Sequence, residues 1–170
     1  IALDWAHASL RGDLAAAYRL ARRGYEVAPG SVSRYLTALY ALWINRPREA
    51  VKLLKEEPAN SLLRKRCIYY HSVLVQAFHV LGRHDEELEV AREARAQFPD
   101  LTIPVFLEAQ ALAGLGRTDG AEGLVGPLLL LSSNPEGATR WILDIGDALA
   151  AHRHEQAATR LYHRALDALD

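Results

Sequence analysis

Residues 68–101 read IYYHSVLVQAFHVLGRHDEELEVAREARAQFPDL, and the punctuation of this stretch decides the fold. In its first half, His71, Leu74, Val75 and Phe78 recur at i, i+3, i+4 and i+7, which places them on one face of a helix. Gly82 supplies the permissive backbone of a tight turn, and Asp85 falls where a helix N-terminus favours negative charge. The second half would bury Leu88, Ala91 and Ala94 and stop before Pro99, which cannot continue a helix. A hairpin of this kind has an apolar face it cannot cover alone, so it has to stack on copies of itself.

Working outward, the same cadence recurs. Upstream, residues 1–27 read as a short helix around Trp5 and Ala8, a turn at Gly12 and a helix over Leu14 to Val27. Pro29-Gly30-Ser31 interrupts the pattern, with Ser31 as expected N-cap of a helix over Val32 to Ile44. Asn45 takes the turn site, Pro47 opens the following helix and Pro58 closes it. The helix leading into Phe78 is expected to begin near Leu62. Downstream, Asp100 or Thr102 is expected to cap a helix running through Leu115, with Pro104 tolerated in its first turn. Gly116 turns the chain into a segment where Gly123, Gly126 and Pro127 predict a break near Gly126. Asn134-Pro135-Glu136 combines cap, first-turn proline and acid, and starts a helix through Trp141 to Ala151. A last helix follows over His154 to Leu169.

The turn residues Gly12, Asn45, Gly82, Gly116 and Arg153 are spaced 33, 37, 34 and 37 apart. Small residues open each second helix at Ala17, Ala50, Ala121 and Ala158, with Glu87 in the equivalent place of the central hairpin. Ala38, Val75, Ala109 and Gly146 take the small site of the first helices, from which Trp5 departs. Gly24, Ala94 and Ala165 do so late in the second helices, where Glu57 and Leu128 depart, and Pro29 and Pro99 terminate. In these positions and in its period of about 34 residues the chain resembles a tetratricopeptide repeat (TPR) array. The resemblance spans essentially residues 1–170, read as a single TPR-like repeat domain of about five hairpins. It implies an all-α, right-handed superhelical α-solenoid. The cadence of LTALYALWINRPREA (36–50) and LVQAFHVLGRHDEELEVAREARAQFPD (74–100) is also similar to the TPR tails of multidomain bacterial regulators, some of them membrane-tethered.

Composition narrows the function. Twenty Lys and Arg against 21 acids leave a net charge of −1, which predicts no general attraction to nucleic acid or to an anionic membrane. Arg64-Lys65-Arg66 reads as a solvated helix face. One cysteine excludes an internal disulfide framework and fits a reducing, cytoplasmic setting. No apolar run, the four leucines of Leu128 to Leu131 included, is long enough to span a bilayer. The chain opens at Ile1 and contains no Met, which reads as an excerpt of a longer protein.

Catalytic constellations find no support. Cys67 and His71 are four apart on one helix, as a nucleophile with its base or half a metal site would be, but no third ligand or orienting carboxylate follows nearby. His152, His154 and His163 project separately and read as exposed side chains. Asp144 and Asp147 have the spacing of paired acid–base carboxylates, yet Arg140 sits four before Asp144, as in an ordinary surface ion pair. GLGRTDG (114–120) lacks the preceding strand of a phosphate loop. No enzyme, metal or cofactor is expected.

The resemblance implies instead a concave surface lined by the first helices, binding a protein or peptide segment. Transferred by register, its lining is Tyr35, Leu39 and Leu42, then Tyr69, Ser72, Gln76 and His79, then Phe106 and Gln110, then Arg140, Leu143 and Asp147. Gln76 and Gln110, 34 apart, are expected to sit one above the other, offering amides to a peptide backbone, while Tyr and Phe offer anchoring area. The Lys-and-Asn pattern that clamps a terminal carboxylate in chaperone-binding members is missing. Two alternatives remain: a homodimer through Leu161, Tyr162, Ala165 and Leu169 of the last helix, and sensing of a small molecule or signalling peptide.

Overall fold

The computed structural model describes residues 8–168, and every element among them is a helix. Trp5 and Leu169 lie outside the described residues. The chain divides into two compact units, Ile1–Leu81 and Gly82–Asp170. The boundary falls inside the quoted stretch, so its two helices belong to different units.

In the first unit, residues 8–10 are helical and lead through a turn to α1 (Leu14–Val27), α2 (Ser31–Trp43), α3 (Pro47–Lys55), the short α4 (Leu62–Arg66) and α5 (Ile68–Val80). Neighbours in sequence pack as neighbours in space: α1 against α2, α2 against α3, and α3 against α5. Ala17, Ala38 and Ala50 are fully buried, as the small-residue sites require for close helix approach. The face of α5 expected from periodicity is also buried, with His71, Leu74, Val75 and Phe78 all inside. Tyr70 crosses to donate its hydroxyl to the Leu54 carbonyl at 3.1 Å.

Two details differ from the sequence reading. Gly30, not Ser31, is the cap of α2; its N–H donates to the Ser33 hydroxyl at 3.1 Å. The Ser31 hydroxyl is engaged elsewhere, donating to Glu57 at 2.5 Å. The segment entering α5 does begin at Leu62 but is not continuous. Cys67 adopts an extended conformation (φ −119°, ψ 102°) that separates α4 from α5. Arg64, Lys65 and Arg66 fill the last turn of α4, where the carbonyl dipoles favour cations.

Glu57 departs from the small residue expected there and is nevertheless buried. Burial alone would push its carboxyl up; hydrogen bonds from Ser31 and Ser61, together with the Arg34 guanidinium, outweigh that and hold it below the ordinary value of 4.5. A group whose folded pKa is depressed stabilises fully above its unfolded pKa and loses that contribution as pH falls through the folded one. The first unit should therefore weaken as pH drops below 4.5. Thermal melts between neutral and acid pH should show a shallower acid limb for Glu57→Gln than for the parent; an unchanged limb would remove Glu57 as its source.

In the second unit, α6 (His84–Gln97), α7 (Thr102–Gly114), α8 (Thr118–Gly123), α9 (Val125–Leu131), α10 (Pro135–Ala151) and α11 (Glu155–Asp167) enclose one continuous core. Leu88 and Ala91 face inward, as expected, and the carboxylate of Glu87 is buried too, 2.7 Å from His84 Nδ1. Glu108 on α7 receives Arg92 Nε at 3.1 Å and Arg95 Nη1 at 2.7 Å, which ties α6 to α7. Neither Asp100 nor Thr102 caps α7; Leu101 holds that place, and Thr102 donates to the Leu131 carbonyl at 3.1 Å. The expected break is present but lies at Leu124, ahead of Gly126. Pro127 explains the shift, because it has no N–H for the Gly123 carbonyl and its ring crowds that carbonyl. Asn134 caps α10 as read, accepting from Gly137 N–H at 3.2 Å.

Helices α10 and α11 approach closely. A Cβ on Gly146 would stand 2.6 Å from Tyr162 Cε1, so glycine is what lets the tyrosine lie across α10. The Tyr162 hydroxyl then donates to Asp147 at 2.8 Å, and its pKa rises, first through that bond.

All five turn residues read from sequence have positive φ, and no other described residue does: Gly12 (74°), Asn45 (61°), Gly82 (66°), Gly116 (68°) and Arg153 (66°). Around Gly12, Asn45, Gly116 and Arg153 the hydrogen bonds repeat. The turn residue donates three residues back, to Ser9, Leu42, Ala113 and Ala150. The next residue donates five back, to Ala8, Ala41, Leu112 and Leu149. This is the Schellman arrangement.

Candidate functional site

The expected binding residues lie on the first helix of each pair, and they are divided between the two units. On α2, Tyr35 and Leu39 are half-buried and Leu42 is buried. On α5, Tyr69 and Gln76 are exposed, and Ser72 and His79 half-buried. Tyr69 is 58% exposed, which is unusual for so large a ring within a packed helix pair. Tyr35 and Tyr69 are 34 apart in sequence. The Tyr35 phenol is pushed up to about 12, chiefly by burial and then by the charges of Cys67 and Tyr69. Ser72 is engaged locally, donating to the Ile68 carbonyl at 3.2 Å.

In the second unit, Phe106 on α7 stacks on Trp141 of α10 with ring centroids 5.4 Å apart and planes 21° from parallel. Both rings, and Leu143, border the core while keeping part of their surface exposed. Gln110 is half-buried, and its Oε1 is enclosed with no hydrogen-bond partner among the described residues. Arg140 is exposed and donates to Asp144 at 3.1 Å, the surface pair expected from spacing. Asp147 is exposed at its helix surface but holds Tyr162. Trp141 was absent from the sequence-derived lining; its spacing of 35 from Phe106 was the signal for it.

The residues with catalytic spacing are accounted for by packing. Cys67 is half-buried at the α4–α5 break and His71 is inside the α5 face, edge-on to Tyr70 at 5.1 Å. His152 packs edge-on to His84 at 5.1 Å, and His154 Nε2 lies 2.6 Å from where a Cβ on Gly116 would be. His163 is exposed.

The proposed dimer face is corrected. Leu161 and Ala165 are buried within the second unit and Tyr162 lies over Gly146, so α10 already covers what the sequence left open. The large apolar side chain that α11 does expose is Leu166, 62% accessible. No helix among the described residues is long and apolar enough to cross a membrane.

No family model and no curated protein matches the chain. Solved structures do. A crystal structure of MamA is 16% identical and superposes with a TM-score of 0.69 over 95% of this chain and 92% of that one. MamA 41-end from Desulfovibrio magneticus RS-1 gives 0.71 at 12% identity, covering 96% and 90%. TTC0263, a thermophilic TPR protein in Thermus thermophilus, gives 0.69 at 20% identity, covering 96% and 87%.

The fold is TPR-like.

At such identities the likeness is one of fold. It assigns the chain to an all-α TPR-like helical repeat fold.

Proposed function

We propose that this chain is a non-catalytic, TPR-like module that binds a protein or peptide segment on the surface of its first helices. The observation that carries the reading is aromatic: Tyr69 stands exposed on α5, and Phe106 stacks beside Trp141 on α7 and α10. Rigid rings held by their neighbours offer contact area at little entropic cost, which is why such side chains dominate binding energy in protein interfaces. Leu39 and Leu143 extend the apolar ground, Leu42 is buried beneath it, and Ser72, Gln76, His79, Gln110, Arg140 and Asp147 supply the polar surround. The 1–170 stretch acts here as one repeat domain.

Tyr69→Ala and Phe106→Ala should each weaken a partner, once identified by capture and sequencing, by about 2 kcal/mol or more, roughly thirtyfold. Titration calorimetry reads the loss. Tyr69→Ala should leave the melting temperature nearly unchanged, because its ring is mostly in solvent. Full affinity in both variants would end the proposal.

A further inference from the structure

The net charge of −1 conceals a division along the chain. Residues 1–81 carry twelve Lys and Arg against six Asp and Glu, a net of +6, whereas residues 82–170 carry eight against fifteen, a net of −7. Much of this charge is not used within the molecule. On α1, Arg19 and Arg23 are exposed and four apart, and on α3 Arg48 and Lys52 repeat that spacing. None of the four forms an ion pair among the described residues, although Arg22, between the first two, does so with Glu26 and Glu49. Arg22, Arg48 and Lys52 also line a cleft of about 520 Å³, together with Glu26, Glu49 and Glu56. On α6 the pattern returns with opposite sign. Asp85 and Glu89 are exposed, four apart and without an ion pair among the described residues.

Like charges at i, i+4 destabilise the helix that carries them, by about 0.2–0.5 kcal/mol per pair. Two cationic pairs and one acidic pair thus each carry a local repulsion that a surface of opposite charge would relieve. Their spacing along the helix axis is the same, so a basic helix face can be laid against an acidic one with both pairs in register. A partner of matching charge is guaranteed to be present wherever this chain is, because each copy carries both faces.

We propose that the basic α1–α3 face of one copy docks on the acidic α6 face of a second copy. The two surfaces are different, so the contact is heterologous and each copy keeps one face of each kind open. Assembly therefore continues past a dimer, into rings or chains. Opposed charged faces govern encounter and are screened by salt, since the Debye length shrinks from about 20 Å near 20 mM to about 6 Å near 300 mM.

Sedimentation velocity on the full chain tests this. At about 20 mM NaCl the mean mass should rise with concentration beyond that of a dimer, and about 300 mM NaCl should weaken association at least tenfold. Arg19→Glu/Arg23→Glu and Asp85→Lys/Glu89→Lys should each be shifted toward monomer. Mixed one to one, they should associate again, because the reversed face of each meets a complementary face on the other. Circular dichroism checks that both variants keep the parent's helix content, as substitution at exposed positions should allow. The wild type remaining monomeric at low salt would overturn the proposal and leave the basic face to a foreign acidic partner. Salt-insensitive association would overturn it in favour of an apolar contact, and failure of the mixture to associate would overturn the assignment of the faces.

Discussion

Phe78→Ala is expected to destabilise the first unit by about 3–5 kcal/mol. The ring is fully buried on α5, with Leu74 and Val75 buried one turn behind it on the same face. The ammonium of Lys55, at the end of α3, lies 5.3 Å from the ring centroid, so truncation also removes a cation–π contact between the two helices. A backbone committed to helix on both sides cannot collapse into the space left behind, which places the cost toward the upper part of the range for large-to-small changes. Urea unfolding should report it as a lower midpoint. A loss under about 1 kcal/mol would mean that the α3–α5 contact is not where this unit's stability lies.

Leu161→Ala and Leu166→Ala form the second large contrast. They are five residues apart on α11, yet Leu161 is fully buried and Leu166 is 62% exposed. The first should cost about 2–5 kcal/mol and the second less than about 0.5 kcal/mol. The prediction separates two views of this helix. If its apolar stripe were reserved for another copy, truncating Leu161 would alter association and spare the fold. If α10 already covers the stripe, as the Gly146–Tyr162 approach indicates, the fold suffers instead. Equal effects of the two substitutions would contradict the packing described for α10 and α11.

Much of this architecture could be read before any coordinates. Periodicity located the buried face of α5, and the turn positions needed only local chemistry: a residue tolerant of positive φ between two apolar runs. What escaped the sequence was decided by partners far along the chain. Ser31 has the chemistry of a cap, but Glu57, 26 residues later, claims its hydroxyl. The acid at Glu57 is acceptable in place of a small residue because Arg34 and Ser31 converge on it. Pro127 shifted its break to Leu124 through a carbonyl four residues behind, a displacement that a search for Gly-Pro pairs misses. In the candidate site, the ring pair of Phe106 and Trp141 is set by how α7 packs on α10, which a spacing of 35 residues does not by itself reveal. The charge division was invisible to a total that sums to nearly zero.

The repeating left-handed turn is what makes this chain a series of equivalent helix pairs, and it can be tested at single positions. At Gly12 and Gly82 a Cβ would meet nothing within 4 Å, so Ala there is penalised by backbone conformation alone. Arg153 holds the same conformation without being glycine. The measurement is the change in unfolding free energy for Gly12→Ala, Gly82→Ala and Arg153→Gly under one set of conditions. The two alanine variants should lose about 1 kcal/mol each, and Arg153→Gly should gain about 0.5–1 kcal/mol. Losses at all three positions, or no effect at the glycines, would contradict the repeat.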